Sequence, residues 1–197
     1  MIYYILEFIS RLAANLCFRL RAFGRENFPK KGGFILVSNH VSFLDPVILG
    51  VASPRKLNYM ARDTLFRNPL FGGLLRSVGC FPLKRGSADR AALKQALKRL
   101  GEAKGLVLFP EGRRITRGNE SVEPLAGVGF LAVKSKMPII PAYLKGTSKA
   151  MPRGARFILP YKVSVYFGKS FSVDSQMPYE DIARLVMQKI RQLEQNS

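Results

Sequence analysis

A single histidine occurs in the chain, His40, within the stretch Ser38-Asn39-His40-Val41-Ser42-Phe43-Leu44-Asp45. Imidazole is the side chain whose ordinary pKa lies nearest neutrality, so histidine chemistry here has one address. Asp45 supplies a carboxylate that can orient the ring and stabilise its protonated form. The two cannot face each other on a straight helix, where five residues turn through about 140°. They meet if His40 lies in a loop and Asp45 at a helix entry. Asp45-Pro46 suits that entry, with Asp as N-cap and Pro as first helical residue. Capping and ring-holding are compatible, because a carboxylate has several acceptor positions. The plain alternative is a loop histidine with no role beside a capping aspartate. Ser42 as a nucleophile is disfavoured, since no glycine-rich elbow surrounds it. The pair reads as a general base for a substrate hydroxyl.

A second cluster is Phe109-Pro110-Glu111-Gly112-Arg113-Arg114. Gly112 permits a tight turn. Arg113 and Arg114 offer bidentate donors to a phosphate. Glu111 either accepts from a ligand or fixes an arginine. The plain reading is a solvated turn whose ion pair contributes ~0–1 kcal/mol. Lys84-Arg85 forms another basic pair after a short apolar run. Two basic pairs at strand ends and a general base describe a site for a phosphorylated hydroxyl compound.

The elements that position these groups are short and alternate in type. GFILVS (33–38), Leu57–Ala61, Cys80–Leu83, Leu106–Phe109, Ile139–Leu144 and Val163–Phe167 read as strands. Helices are predicted from Asp45, over Pro69–Ser77 and Ser87–Lys104, from Pro124, and over Pro178–Glu194. This alternation implies an α/β fold with a mostly parallel central sheet flanked by helices. Sites in such sheets form beyond the carboxyl ends of the strands, where His40 and Glu111 fall.

The 197 residues carry 32 Lys+Arg against 13 Asp+Glu, a net charge of +19. Such an excess favours nucleic acid, an anionic membrane or phosphorylated substrates, and composition does not choose among them. Cys17 and Cys80 make no disulfide framework, and no metal site is visible. Met1–Leu20 places Ile2, Ile5, Leu6, Ile9, Leu12, Ala13, Leu16 and Leu20 on one helical stripe. Glu7 and Arg11 lie mid-segment, and a charge at the bilayer centre costs about 2.5–3.5 kcal/mol. An amphipathic helix lying in the membrane interface fits better than a span or a secretory signal. Packing on the protein's own core is the alternative. The domain reading is a membrane-associating segment over 1–25 and one α/β domain over 26–197.

These motifs resemble those of the 1-acylglycerol-3-phosphate acyltransferase family, the lysophosphatidate acyltransferases of phospholipid synthesis. Asn39-His40 with Asp45 matches its first motif, Cys80–Arg85 its second, and Phe109–Ile115 its third. Pro138-Ile139-Ile140-Pro141 with Gly146 is similar to its fourth. Arg113 stands where the family pattern has Thr, and Ile115 where it has Ser. The resemblance implies a glycerolipid-acyltransferase-like fold and acyl transfer from acyl-CoA or acyl carrier protein to the sn-2 hydroxyl of lysophosphatidate. His40 and Asp45 are then catalytic. Asn39, Ser42, Lys84, Arg85, Glu111, Gly112, Arg113 and Arg114 bind substrate. No metal or cofactor beyond the donor is implied. The expected setting is the cytoplasmic face of the cell membrane, held peripherally on anionic lipid.

Two other classes compete. A sequence-blind nucleic-acid binder is suggested by charge alone, but zinc-finger spacing, RNP-like aromatics and a recognition helix are missing, so no specific nucleic acid is expected. A non-catalytic lipid-binding protein would leave His40 incidental. Within the enzyme class, glycerol-3-phosphate, another lysophospholipid or an amino-acid lipid are alternative acceptors.

Overall fold

Five consecutive residues, Phe34–Ser38, are all buried, which marks a strand covered on both faces. A computed structural model describes Ala14 and residues 16–84, 89–115 and 122–197. In chain order the strands are β1 (Arg21–Phe23), β2 (Phe34–Ser38), β3 (Leu57–Arg62), β4 (Cys80–Leu83), β5 (Gly105–Leu108), β6 (Ile139–Lys145) and β7 (Ser164–Phe167). The helices are α1 (Asp45–Ala52), α2 (Pro69–Ser77), α3 (Arg90–Gly101), α4 (Gly127–Ser135), α5 (Thr147–Ala150) and α6 (Tyr179–Gln195). The strands form one sheet in the order β1-β7-β6-β2-β5-β3-β4. Every pairing is parallel except β6 with β7, so the expected α/β architecture is found.

Alternate residues of β2 face opposite sides. Phe34 and Leu36 pack with Ile48, Leu49 and Ala52 of α1 and with Phe28. Ile35 and Val37 pack with Ala96 and Leu100 of α3, Leu131 of α4 and Val186 and Ile190 of α6. Among the described residues, α1 and Ala150 of α5 thus lie on one face with the helical residues Ala14 and Phe18, and α3, α4 and α6 cover the other. β2 lies between β5 and β6, with Val37 beside both Leu108 and Pro141. The loops leaving β2, β5 and β6 therefore emerge together at one end of the sheet.

Several expectations shift. Residues 21–23, grouped with the N-terminal segment, belong to the sheet as edge strand β1, paired with β7. The helix expected from Ser87 starts at Arg90, because Asp89 caps it by accepting from Ala92 N–H at 3.0 Å. The helix expected from Pro124 starts at Gly127. The proposed membrane helix lies outside the described residues except at its end. There Ala14 and Phe18 are buried and Leu16 is exposed. Phe18 thus faces the core, while Leu16 of the expected apolar stripe does not.

Leu36 is fully buried beneath α1. Leu36→Ala should lower stability by about 2–5 kcal/mol. Urea unfolding should show a reduced midpoint with an unchanged slope.

Candidate active site

His40 leaves the end of β2 and Phe109–Glu111 leaves the end of β5, its parallel neighbour. The register brings the imidazole over the Phe109 ring, 4.0 Å between centroids and 19° between planes. Stacking fixes the ring plane, and a carboxylate fixes its rotation. His40 Nδ1 lies 2.9 Å from Asp45 Oδ2. That oxygen also accepts from the amides of Val41 and Ser42, each at 2.7 Å. An oxygen that accepts from two amides is an acceptor for the ring as well, so the proton sits on Nδ1 and Nε2 presents a lone pair. Asp45 is fully buried, and the His40 side chain is 14% exposed.

The expected role of Asp45 as N-cap changes. Asp45 is the first residue of α1, and the capping position falls to Leu44 without a side-chain bond. The Asp45 carboxylate instead turns back to gather the preceding loop and the imidazole.

Glu111 is buried at 7% exposure. Burial pushes its carboxyl up to about 7, helped by the nearby Asp45 charge and opposed by the amides of Glu111 and His40. Three buried side-chain oxygens among the described residues lack a partner: Asp45 Oδ1, Glu111 Oε2 and Thr147 Oγ1. They follow the carboxyl ends of β2, β5 and β6, three adjacent strands. Buried polar atoms are normally bonded, so these three oxygens are exceptions, all on segments that follow adjacent strands. Thr147 belongs to no motif, and only the strand order reveals it.

The predicted binding residues divide. Asn39 clips β2 to β6: its Oδ1 accepts from Leu144 N–H at 2.8 Å and its Nδ2 donates to Leu144 O at 3.1 Å. Ser42 Oγ donates to the Met151 carbonyl at 3.0 Å, not to the imidazole. Both side chains hold the loop. Gly112 has φ 64°, and a Cβ there would stand 2.5 Å from Leu125 Cδ1. Arg114 lies over the Phe43 ring at 3.4 Å from the centroid. Desolvation and the neighbouring Arg153 hold its guanidinium below its ordinary pKa, against the pull of Asp45. Arg113 is exposed. Lys84 follows β4 at the sheet edge, two strands beyond β5, or about 10 Å of strand spacing. Arg85 lies outside the described residues. His40, Asp45, Glu111 and Arg114 therefore converge, and Lys84 does not join them.

Neither cysteine offers a rival nucleophile. Burial pushes the Cys80 thiol up to about 11 on β4, and Cys17 is exposed ahead of β1. Among the described residues no group of acids, histidine and cysteines could hold a metal.

A mostly parallel α/β sheet with a histidine–carboxylate pair and a buried acid at its strand ends is an arrangement capable of general-base chemistry. A family model described as Acyltransferase matches residues 19–145, more than half of the chain, and the chain belongs to that family. It is 32% identical over 130 residues to a 1-acyl-sn-glycerol-3-phosphate acyltransferase of Bacillus subtilis, covering 66% of this chain and 64% of that one. It is 32% identical over 120 residues to a lyso-ornithine lipid O-acyltransferase of Pseudomonas aeruginosa, covering 60% and 44%. The chain thus spans about half to two-thirds of these relatives' length. The fold is shared with the 1-acyl-sn-glycerophosphate (LPA) acyltransferase of Thermotoga maritima, at TM-score 0.76 and 23% identity over 98% of this chain and 79% of that one.

The raised Glu111 pKa makes a stability prediction. The folded state holds this proton more tightly than the unfolded chain, whose carboxyl sits near 4.5. Stability from this group is full below about pH 4.5 and is lost as pH rises through 7. Glu111→Gln should therefore stabilise more at pH 8.5 than at pH 5, the difference in unfolding free energy being on the order of 3 kcal/mol and seen as a larger rise in Tm. Thermal unfolding at both pH values checks this, and equal shifts would contradict the buried charge.

Proposed function

We propose that this chain transfers a fatty acyl group from acyl-CoA or acyl carrier protein to the sn-2 hydroxyl of lysophosphatidate, giving phosphatidate. The observation that carries the reading is the Nδ1–Asp45 bond at the strand ends where Glu111 is also buried, since it leaves Nε2 as the ring nitrogen available to accept a proton.

Nε2 takes the hydroxyl proton as the oxygen attacks the thioester carbonyl. The C–S bond then breaks, and the leaving thiolate takes the proton back from the imidazolium. Asp45 keeps the tautomer fixed and offsets the imidazolium charge. A direct transfer is supported because the Ser42 hydroxyl is bonded to Met151 and the Cys80 thiol stays protonated. Arg114 binds the acceptor's phosphate, with Arg113 at its rim. Glu111 with its proton donates to a ligand oxygen, and without it accepts from a glycerol hydroxyl. We place the reaction on the cytoplasmic face of an anionic membrane. The basic surplus supports this, and no helix among the described residues is long and apolar enough to cross a membrane.

A lyso-ornithine lipid is the second acceptor to test, favoured by the relative named for that activity and by the unusual Arg113-Arg114 pair. The experiment is radiolabelled acyl transfer from both donors to lysophosphatidate, lyso-ornithine lipid and other lysolipids. His40→Ala should lower turnover by about 10²–10⁴-fold while the protein still unfolds cooperatively. Asp45→Asn should lower turnover and also destabilise, because the loop amides lose a charged acceptor. Near-normal transfer by His40→Ala would remove the mechanism.

A further inference from the structure

The sequence from 124 to 173 contains no aspartate or glutamate, while Lys145, Lys149, Arg153, Arg156 and Lys162 cluster within it. Inside this stretch the connection from α5 to β7 carries Phe157 at 79% exposure, with Ile158 and Leu159 about half exposed. Three adjacent large apolar side chains on a loop are costly in water and unusual for a surface. Arg153, Arg156, Lys149 and Lys162 around them are all exposed.

The loop has a built base. Leu159 N–H donates to Ala150 O at 2.8 Å, Ala155 N–H donates to Pro152 O at 3.1 Å, and Lys149 Nζ lies 5.3 Å from the Tyr161 ring centroid. At Gly146 the backbone packs directly on Lys162 O. The base is also joined to the catalytic loop through Ser42 Oγ and the Met151 carbonyl.

Its position is set by topology. β7 runs antiparallel to β6 with Ser164 beside Lys145, so the connection lies at the carboxyl end of the sheet, where His40 lies. Other exposed apolar side chains sit there too: Phe43 after β2, Leu65 after β3 and Leu125 after β5. Apolar tips ringed by cations match an anionic lipid surface, whose headgroups meet the charges and whose acyl boundary receives the apolar groups.

We propose that the 152–162 loop is a membrane-docking element in its own right, with Phe157, Ile158 and Leu159 entering an anionic lipid surface and Arg153 and Arg156 meeting its phosphates. The docked face then opens the His40 site toward the bilayer. The proposal deepens the acyl-transfer reading by naming the surface from which that site would take its lipid, and it rests on that reading only for this purpose.

The chain contains no tryptophan, so one placed in the loop reports alone. Phe157→Trp in the full chain is titrated with phosphatidylglycerol/phosphatidylcholine vesicles, with Glu102→Trp at the far end of the sheet as reference. Emission at position 157 should shift to the blue and be quenched by brominated lipid, and emission at 102 should not. Leu159→Trp serves if the first variant does not fold. Phe157→Ser/Ile158→Ser/Leu159→Ser should reduce vesicle partitioning at least about tenfold. Arg153→Gln/Arg156→Gln should reduce it about fivefold per charge, with the difference erased by high salt.

Emission at 157 that ignores vesicles overturns the proposal. So does equal binding to pure phosphatidylcholine, or a shift driven by protein concentration alone, which would make a second copy the occupant. The two readings fail separately. Wild-type acyl transfer with a silent loop removes the docking element only. A responsive loop on a chain that transfers nothing removes the reaction only.

Discussion

One carboxylate oxygen organises the carboxyl end of the sheet around His40. Asp45 Oδ2 accepts from Val41 N–H, Ser42 N–H and the His40 ring, all from the turn that precedes it. A charged acceptor shared by two amides makes strong bonds in a buried setting and leaves the loop little choice of path. The same contact selects the imidazole tautomer, so loop geometry and proton chemistry share one origin. Asn39 and Ser42 complete the frame by tying this loop to β6 and to Met151. The imidazole is thus positioned by a rigid strand end as well as by its own short side chain.

Much of this was legible because the signals were local. Phe34–Ser38 and Gly105–Leu108 are apolar runs bounded by turns, and Asp45-Pro46 announces a helix entry. His40 and Asp45 come together because the loop between them is short, as their spacing implied. What stayed hidden depends on distant partners. Arg21–Phe23 carries no apolar alternation of its own and is a strand only because β7 pairs with it. Strand order is equally invisible. Lys84 and Glu111 both follow short strands, yet β3 separates β4 from β5 in the sheet. Thr147 lies just past Gly146 of the fourth motif, and that its hydroxyl is buried without a partner gives no signal in the sequence.

Asn39 and Ser42 show how spacing and chemistry diverge. Their place in a recurrent pattern suits substrate binding, but their polar atoms already have backbone partners. Such residues explain why a motif is longer than its titratable pair: the turn that brings His40 to Asp45 needs the rest.

The sheet order also governs how the chain reaches this state. β2 lies at its centre, yet its two partners come much later: Leu36 waits for Val107, and Ile35 for Ile139. Arg21 finds its neighbour only when Ser164 has been made. Loop closure over such separations makes assembly slow, with both edges of β2 open to other chains until β5 and β6 arrive. During synthesis the emerging polypeptide must therefore keep its most apolar strand from aggregating until β6 at Ile139–Lys145 has appeared. The strand that later holds the histidine in place thus stays unpaired on one edge through most of synthesis.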